Sequence, residues 1–314
     1  MYAREAAPTI DRLLEHRVIA LFGKGGVGRT SVAAGLACLA AGRGHRTLVM
    51  ETDPRAPLAA AHQQSPSFRP RQAAANIWTM LLDRQQSLEE YLGFIVNRSI
   101  LRAVFASSLY QYFVHAAPAV RELMMMGKIY HEIERRPAQE PPWDLIVVDL
   151  PASGQALGMI AMPFAARETF GSNLVGREAE QVGHFFQDRA KFAIAIVTSV
   201  DQLAMTETLE IHRKLDVLGL TIAAVVFNRM SPATFTAADV AHAFASEVAT
   251  AHQADFAALA QADLKRRTRE RRALGLLKRA VGAPVIHLSE CQGRCGAALA
   301  TSLAEQLASG GSRN

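Results

Sequence analysis

Short apolar runs rich in β-branched residues recur along the chain, separated by longer stretches in which apolar positions return every three or four residues. Strands buried on both faces read as continuous hydrophobic strings, so this alternation predicts a parallel sheet covered by helices. The predicted strands are Val18 to Phe22, Thr47 to Glu51, Ile77 to Leu82, Leu145 to Val148, Ala193 to Thr198, Ile222 to Phe227 and Pro284 to Leu288. Seven strands at this spacing imply a doubly wound, mostly parallel α/β sheet within one domain, 1–314.

Two long segments carry no strand pattern. Residues 87–142 favour helix, with Pro118 as a break and the prolines of 137–142 as a terminator, and are expected as a helical insertion over one end of the sheet. Residues 232–281 form a second helical region between the last two strands. The tail, 310–314, is expected to fray, and there is no internal repeat.

Composition narrows the class. With 314 residues, 50% of them hydrophobic and 20% charged, and a mean hydropathy of +0.08, the chain buries a sizeable core, which excludes disorder as the default. The net charge of +5 and pI near 9.3 come mostly from Lys265 to Arg279, a local basic helix that accounts for the total without a nucleic-acid-binding face. Aromatic residues that could stack on bases are missing from that segment, which reads as a solvated face, with peripheral association to an anionic membrane as its alternative use. Three cysteines, Cys38, Cys291 and Cys295, are too few for a disulfide framework and read as reduced thiols of a cytoplasmic protein. Met1 to Arg17 lacks the apolar core of a signal peptide, and no run of about 18 apolar residues occurs. The ten histidines show no pair at metal-ligand spacing.

The chemistry begins directly after the first strand, at Gly23-Lys24-Gly25-Gly26-Val27-Gly28-Arg29-Thr30-Ser31, followed by an Ala-rich helix, Val32 to Ala41. Strand, glycine loop and helix are the context a P-loop requires: the glycines let successive N–H groups turn inward on an anion, and the helix start adds its positive dipole end. At the helix start, the Thr30 hydroxyl can reach a magnesium ion. Lys24 marks the deviant Walker A group. Arg29 stands where a P-loop normally has its phosphate lysine, keeping the charge but presenting a planar fork. The loop predicts ATP and Mg2+ as cofactors and a P-loop NTPase sheet.

Two strand-end carboxylates complete the pattern. Asp149 follows the buried run Leu145-Ile146-Val147-Val148 and is delivered to the carboxyl edge of the sheet, where a cation offsets the cost of its burial. Asp53 ends the second strand, where a carboxylate can hold an attacking water in line with a γ-phosphate. Asn228, at the end of a later strand, can both donate to and accept from an adenine edge.

On these residues the chain resembles the ArsA-type ATPases, which include the arsenical anion-pump ATPase and the ATPase that delivers tail-anchored membrane proteins. The resemblance is carried by Lys24 to Thr30, Asp53-Pro54-Arg55-Ala56, Asp149-Leu150-Pro151-Ala152-Ser153-Gly154-Gln155 and Phe227-Asn228-Arg229, with Ala117 to Glu122 and Val197 to Asp201 in family order. It implies that Lys24 reaches across a subunit interface to the nucleotide of the other protomer, so that a homodimer, or a heterodimer with a related ATPase, is the working unit and a protein client or partner reads its state. Arg55 and Gln155 stand where the family has Ala and His, and Arg29 replaces the loop Lys, departures that point toward weak turnover. The cysteines form neither a soft arsenite site nor a Cys-x-x-Cys zinc staple, and none lies between Cys38 and Cys291, which argues against an iron–sulfur reductase. Two rival readings are a positioning or partitioning ATPase working on DNA, membrane or cytoskeleton through the basic helix, and a nucleotide-binding structural subunit of a heterodimer with little hydrolysis. Leu123-Met124-Met125-Met126 is expected to be core, because consecutive helical residues spread around the axis and cannot all line one groove.

Overall fold

The computed structural model describes residues 3–95, 118–134, 143–232 and 251–310, together with 236, 238, 239 and 241. Much of the expected helical insertion, including the prolines of 137–142, most of 232–250 and the extreme tail lie outside the described residues.

Eight strands form one sheet in the order β3-β4-β2-β5-β1-β6-β7-β8. They are β1 (Val18–Phe22), β2 (Thr47–Glu51), β3 (Arg71–Ala74), β4 (Ile77–Leu81), β5 (Leu145–Asp149), β6 (Phe192–Thr198), β7 (Ile222–Met230) and β8 (Val285–Ser289). All neighbours run parallel except β3, which pairs antiparallel with β4 at the edge. That strand is the one the sequence pattern missed. Its residues, Arg-Gln-Ala-Ala, include no β-branched or large apolar side chain, and its short return to β4 passes through Asn76 at φ 59°.

Helices cover both faces. On one side lie α1 (Ala3–Leu14), α2 (Arg29–Gly42) and, near the C-terminus, a helix over Gly296–Ala308. Their apolar residues pack with Ile19, Leu21, Val147 and Val197 from the sheet. Between them in sequence come α3 (Pro57–Ala61), α4 (Arg84–Ile95), α5 (Pro118–Glu134), α6 (Ser153–Phe170), α7 (Leu174–Gln187), α8 (Gln202–Val217) and α9 (Ala251–Val281), which makes the C-terminal helix α10. Helices α5 to α8 contribute to the opposite core, with Val18, Ala20, Phe22, Ile146 and Val148. Adjacent strand residues thus enter different cores, the period-two signature of a sheet buried on both sides.

Pro118, the expected break, is the first described residue of α5, and the residues before it lie outside the described residues. Leu123, Met124, Met125 and Met126 are all buried. Met125 and Met126 face the sheet side, while Leu123 and Met124 pack on Leu88 of α4. Lys128, only 7% exposed, ties α4 to α5 through Glu90 at 2.6 Å and Glu132 at 2.9 Å. No helix among the described residues is long and apolar enough to cross a membrane.

Candidate nucleotide site

The loop between β1 and α2 lies at the carboxyl edge of the sheet, flanked by the ends of β2, β5, β6 and β7, where open α/β folds bind ligands. Its path depends on close approaches that only glycine permits. Gly23 has φ 148°, and a Cβ there would stand 2.2 Å from the Val197 carbonyl oxygen of β6. Gly28 has φ 92°, and its Cβ would stand 2.5 Å from Nδ2 of Asn228. Around Gly25 and Gly26, by contrast, a Cβ would meet open space.

Thr30 and Asp149 are brought together: the Thr30 hydroxyl donates to Oδ2 of Asp149 at 2.6 Å. Asp149 is 6% exposed, and its other oxygen, Oδ1, is buried with no hydrogen-bond partner among the described residues. Burial pushes its carboxyl above the ordinary range, against the pull of the Thr30 hydroxyl and the Arg29 guanidinium, and the charge of Asp53 adds to the rise. An orphaned anionic oxygen beside a threonine hydroxyl at the start of a phosphate loop is a donor set that suits a hard divalent cation. Thr30 and Asp149 are the residues that could hold it. No cluster of three or more His, Cys, Asp or Glu side chains able to bind a metal occurs among the described residues.

Arg29 is engaged by the segment after β5. Its Nη1 donates to the Pro151 carbonyl in the segment after β5, and its charge also faces Asp149 and Glu207, although burial lowers its proton affinity. Glu207 in turn accepts from the Ser153 hydroxyl at 2.8 Å, so Arg29 and Glu207 both contact the segment 150–155. Lys24 rests on Asp201 with its Nζ 3.5 Å from Oδ1, while Asp201 caps α8 through the N–H groups of Leu203 and Ala204. Asn228 is buried, and its Nδ2 donates to the Val27 carbonyl at 2.9 Å. The amide donor that the sequence assigned to an adenine edge is directed at the loop backbone. Ser31 lies in the first turn of α2.

Asp53 lies in the segment 52–57 and is gripped by its near neighbour Arg55. Nη2 of Arg55 stands 2.6 Å from Oδ2 and Nε 3.0 Å from Oδ1, and the Arg55 N–H donates to Oδ1 at 3.0 Å. The side-chain hydrogen bonds from Arg55 hold the Asp53 carboxyl below its usual range. The far end of the same segment is tied by Glu51, whose oxygens accept from the N–H groups of Leu58 at 2.6 Å and Ala59 at 3.1 Å. Burial pushes Glu51 up to about 7, opposed by those two N–H groups and reinforced by Asp149 and Asp53. Sequence reasoning missed Glu51. The signal was available, since a carboxylate closing the buried run Thr-Leu-Val-Met has the same form as Asp149.

A second concavity, about 390 Å3, lies between α4, α5 and α7. It is walled by Tyr91, Phe94, Leu123, Met124, Leu174 and Val182, with the Lys128 ion cluster at its side, and Phe94 is 61% exposed.

Comparison with known proteins matches the sequence to a family. The model of the anion-transporting ATPases fits residues 16–176, about half of the chain, spanning the loop and the segments after β2 and β5. The ATPase BagA of Mycobacterium tuberculosis is 28% identical over 246 residues, which are 76% of this chain and 72% of that protein. A putative arsenical pump-driving ATPase of Halobacterium salinarum is 26% identical over 239 residues, covering 69% of this chain and 36% of its own. The ATPase ASNA1 homolog 1 of Paramecium tetraurelia is 26% identical over 170 residues, 51% of this chain and 48% of its own. With its phosphate loop, strand-end carboxylates and parallel sheet all within the matched span or beside it, the chain belongs to the ArsA-type, anion-transporting ATPase family.

Proposed function

We propose that this ATPase is a nucleotide-gated switch, in which ATP and magnesium draw two copies, or this chain and a related subunit, face to face and the response is the binding or release of a protein partner. The observation that carries the reading is the Thr30–Asp149 contact, 2.6 Å long, with an unpartnered buried carboxylate oxygen beside it. In this reading Thr30 and Asp149 would hold magnesium, which would supply charge compensation to the phosphates. Backbone N–H groups of residues 23–31 cradle the phosphates, Asp53 aligns the attacking water, and Lys24 leaves Asp201 to reach the nucleotide of the facing subunit. Segments 52–57 and 150–155 follow the γ-phosphate, since one carries Asp53 and the other starts directly after Asp149. The apolar cavity between α4, α5 and α7, with Phe94 exposed at its wall, is the surface this reading assigns to the protein partner.

Phosphate release measured together with molecular size across a dilution series tests the proposal. Turnover per subunit should rise with protein concentration as dimer forms, and Lys24→Ala should lose it. A rate that stays flat on dilution to monomer would rule out the paired mechanism.

One alternative has specific support. Arg55 occupies both oxygens of Asp53 and Arg29 is directed at Pro151, an arrangement suited to a subunit that binds ATP but hydrolyses little. Tight binding without phosphate release, restored by mixing with a related ATPase, would favour it.

A further inference from the structure

A second arginine borders the phosphate loop, and nothing in the reading above uses it. Arg229 follows Asn228 on β7, is exposed, and has φ 59°. At this point Phe227 pairs with His287 and Met230 with Ser289, so β7 carries one residue more than β8 between the two pairs. The extra residue makes a bulge. In bulges that place a residue in the left-handed region, glycine is the usual occupant because a side chain there is strained. Arginine occupies that conformation here, in a parallel pair where bulges are rare, and bulges beside ligand sites re-aim a side chain or end the pairing.

The direction follows from distance. Nε of Arg229 lies 4.0 Å from where a Cβ on Gly28 would stand, next to the Asn228 amide that buttresses the loop. Beyond the bulge the chain is anchored: the Ser231 N–H and hydroxyl donate to the buried Glu270 carboxylate at 3.1 and 2.6 Å, and the Glu290 N–H donates to the Met230 carbonyl. Arg229 is therefore displayed from a fixed base, and no hydrogen bond or ion pair holds its guanidinium among the described residues. Arg29, whose position would normally serve the phosphates, is engaged with the Pro151 carbonyl.

We infer that Arg229 is a nucleotide-binding residue that grips the nucleoside monophosphate end of the ligand, placing its guanidinium on the α-phosphate and against the purine face. It lies on the β7 side of the loop, away from Thr30 and Asp149, which mark the γ-phosphate end. A planar cation suits both an anionic oxygen and a π face. The inference rests on the nucleotide reading above and adds to it the residue that distinguishes a nucleotide from a bare polyphosphate chain.

Competition against a fluorescent ATP analogue, in the presence of magnesium, tests it with ATP, ADP, AMP and inorganic tripolyphosphate as competitors. Arg229→Gly is the decisive variant, because it relieves the backbone and removes only the side chain. ATP, ADP and AMP should each weaken about 10-fold, the scale of one charge-assisted contact, while tripolyphosphate stays within about twofold of the parent; Arg229→Lys, which keeps charge but not the planar fork, should recover only part of the loss. Arg229→Gly binding all four competitors like the parent would overturn the inference while leaving the nucleotide reading standing. An equal loss for tripolyphosphate would also overturn it, by assigning Arg229 to loop support. A parent protein that ignores ATP would remove the reading on which it rests.

Discussion

Arg55 holds Asp53 by both carboxylate oxygens, through Nη2 at 2.6 Å and Nε at 3.0 Å, two residues along the same turn. The arginine side chain is 87% exposed and the aspartate 34%, so the pair sits at the rim of the site, where a facing subunit or a γ-phosphate could displace it. In this state the carboxylate has no oxygen free to align a water.

Arg55→Ala should therefore raise single-turnover phosphate release by about three- to tenfold, because the proposed water-aligning group no longer has to leave a bidentate partner. Solvent-exposed pairs contribute little to folding, so the melting temperature should stay within about 2 °C of the parent. Asp53→Asn should lower the same rate at least about 100-fold. A slower Arg55→Ala enzyme would instead make Arg55 a group that assists the reaction.

Stability against pH should show two opposing contributions in the nucleotide-free protein. Glu51 is raised from 4.5 to about 7 by burial, so the folded state holds a proton that the unfolded chain has lost between those values, and stability falls as pH rises from about 4.5 to 7. His287 is lowered from 6.5 to about 4, by burial first and then by Lys278, so the unfolded chain takes up a proton that the folded state refuses, and stability falls as pH drops from about 6.5 to 4. Each amounts to roughly 3 kcal/mol across its window at 1.36 kcal/mol per unit. They nearly cancel in the parent. Urea denaturation should find Glu51→Gln losing stability on acidification and His287→Leu losing it on alkalinisation, and equal slopes in parent and variants would contradict the assignment.

The glycines of the loop should separate folding from binding. Gly23→Ala places a Cβ 2.2 Å from the Val197 carbonyl oxygen at φ 148°, a backbone clash expected to cost more than about 2 kcal/mol. Gly25→Ala meets nothing within 4 Å and has no positive φ, so it should fold like the parent. Its methyl nevertheless enters the space a phosphate chain would fill, and ATP affinity should drop at least about 10-fold. Thermal melts paired with calorimetry distinguish the two, and a Gly25→Ala protein that binds ATP normally would place the phosphates elsewhere.

What could be read from the sequence was whatever one segment determines alone. Seven of the eight strands announce themselves as apolar runs, and Thr30 and Asp149 are recognisable from their places at a helix start and a strand end. Strand β3 was hidden because Arg71-Gln72-Ala73-Ala74 holds no β-branched or large apolar residue. The direction of Arg29 toward Pro151, and of Asn228 toward Val27, depends on segments 122 and 201 residues away, and no local pattern encodes such a choice. The clamp of Glu51 on α3 was closer to legible, since its partners follow within eight residues.

The packing of α4 against α5 should depend on one buried cation. Lys128 is 7% exposed and contacts Glu90 of α4 and Glu132 on its own helix, while Glu132 also accepts from the Trp143 indole N–H at 3.1 Å. Lys128→Met takes the cation from the buried Glu132 and from the 32%-exposed Glu90, which should cost about 2 to 3 kcal/mol. Replacing all three charges together, as Lys128→Met with Glu90→Leu and Glu132→Gln, keeps the volume and an acceptor for Trp143, and should restore most of that loss. Because Glu90 is the link to α4, hydrogen exchange in the single variant should accelerate across 84–95 before it does across the sheet. Uniform acceleration over the whole chain would mean that the ion cluster supports the global fold rather than the docking of α4.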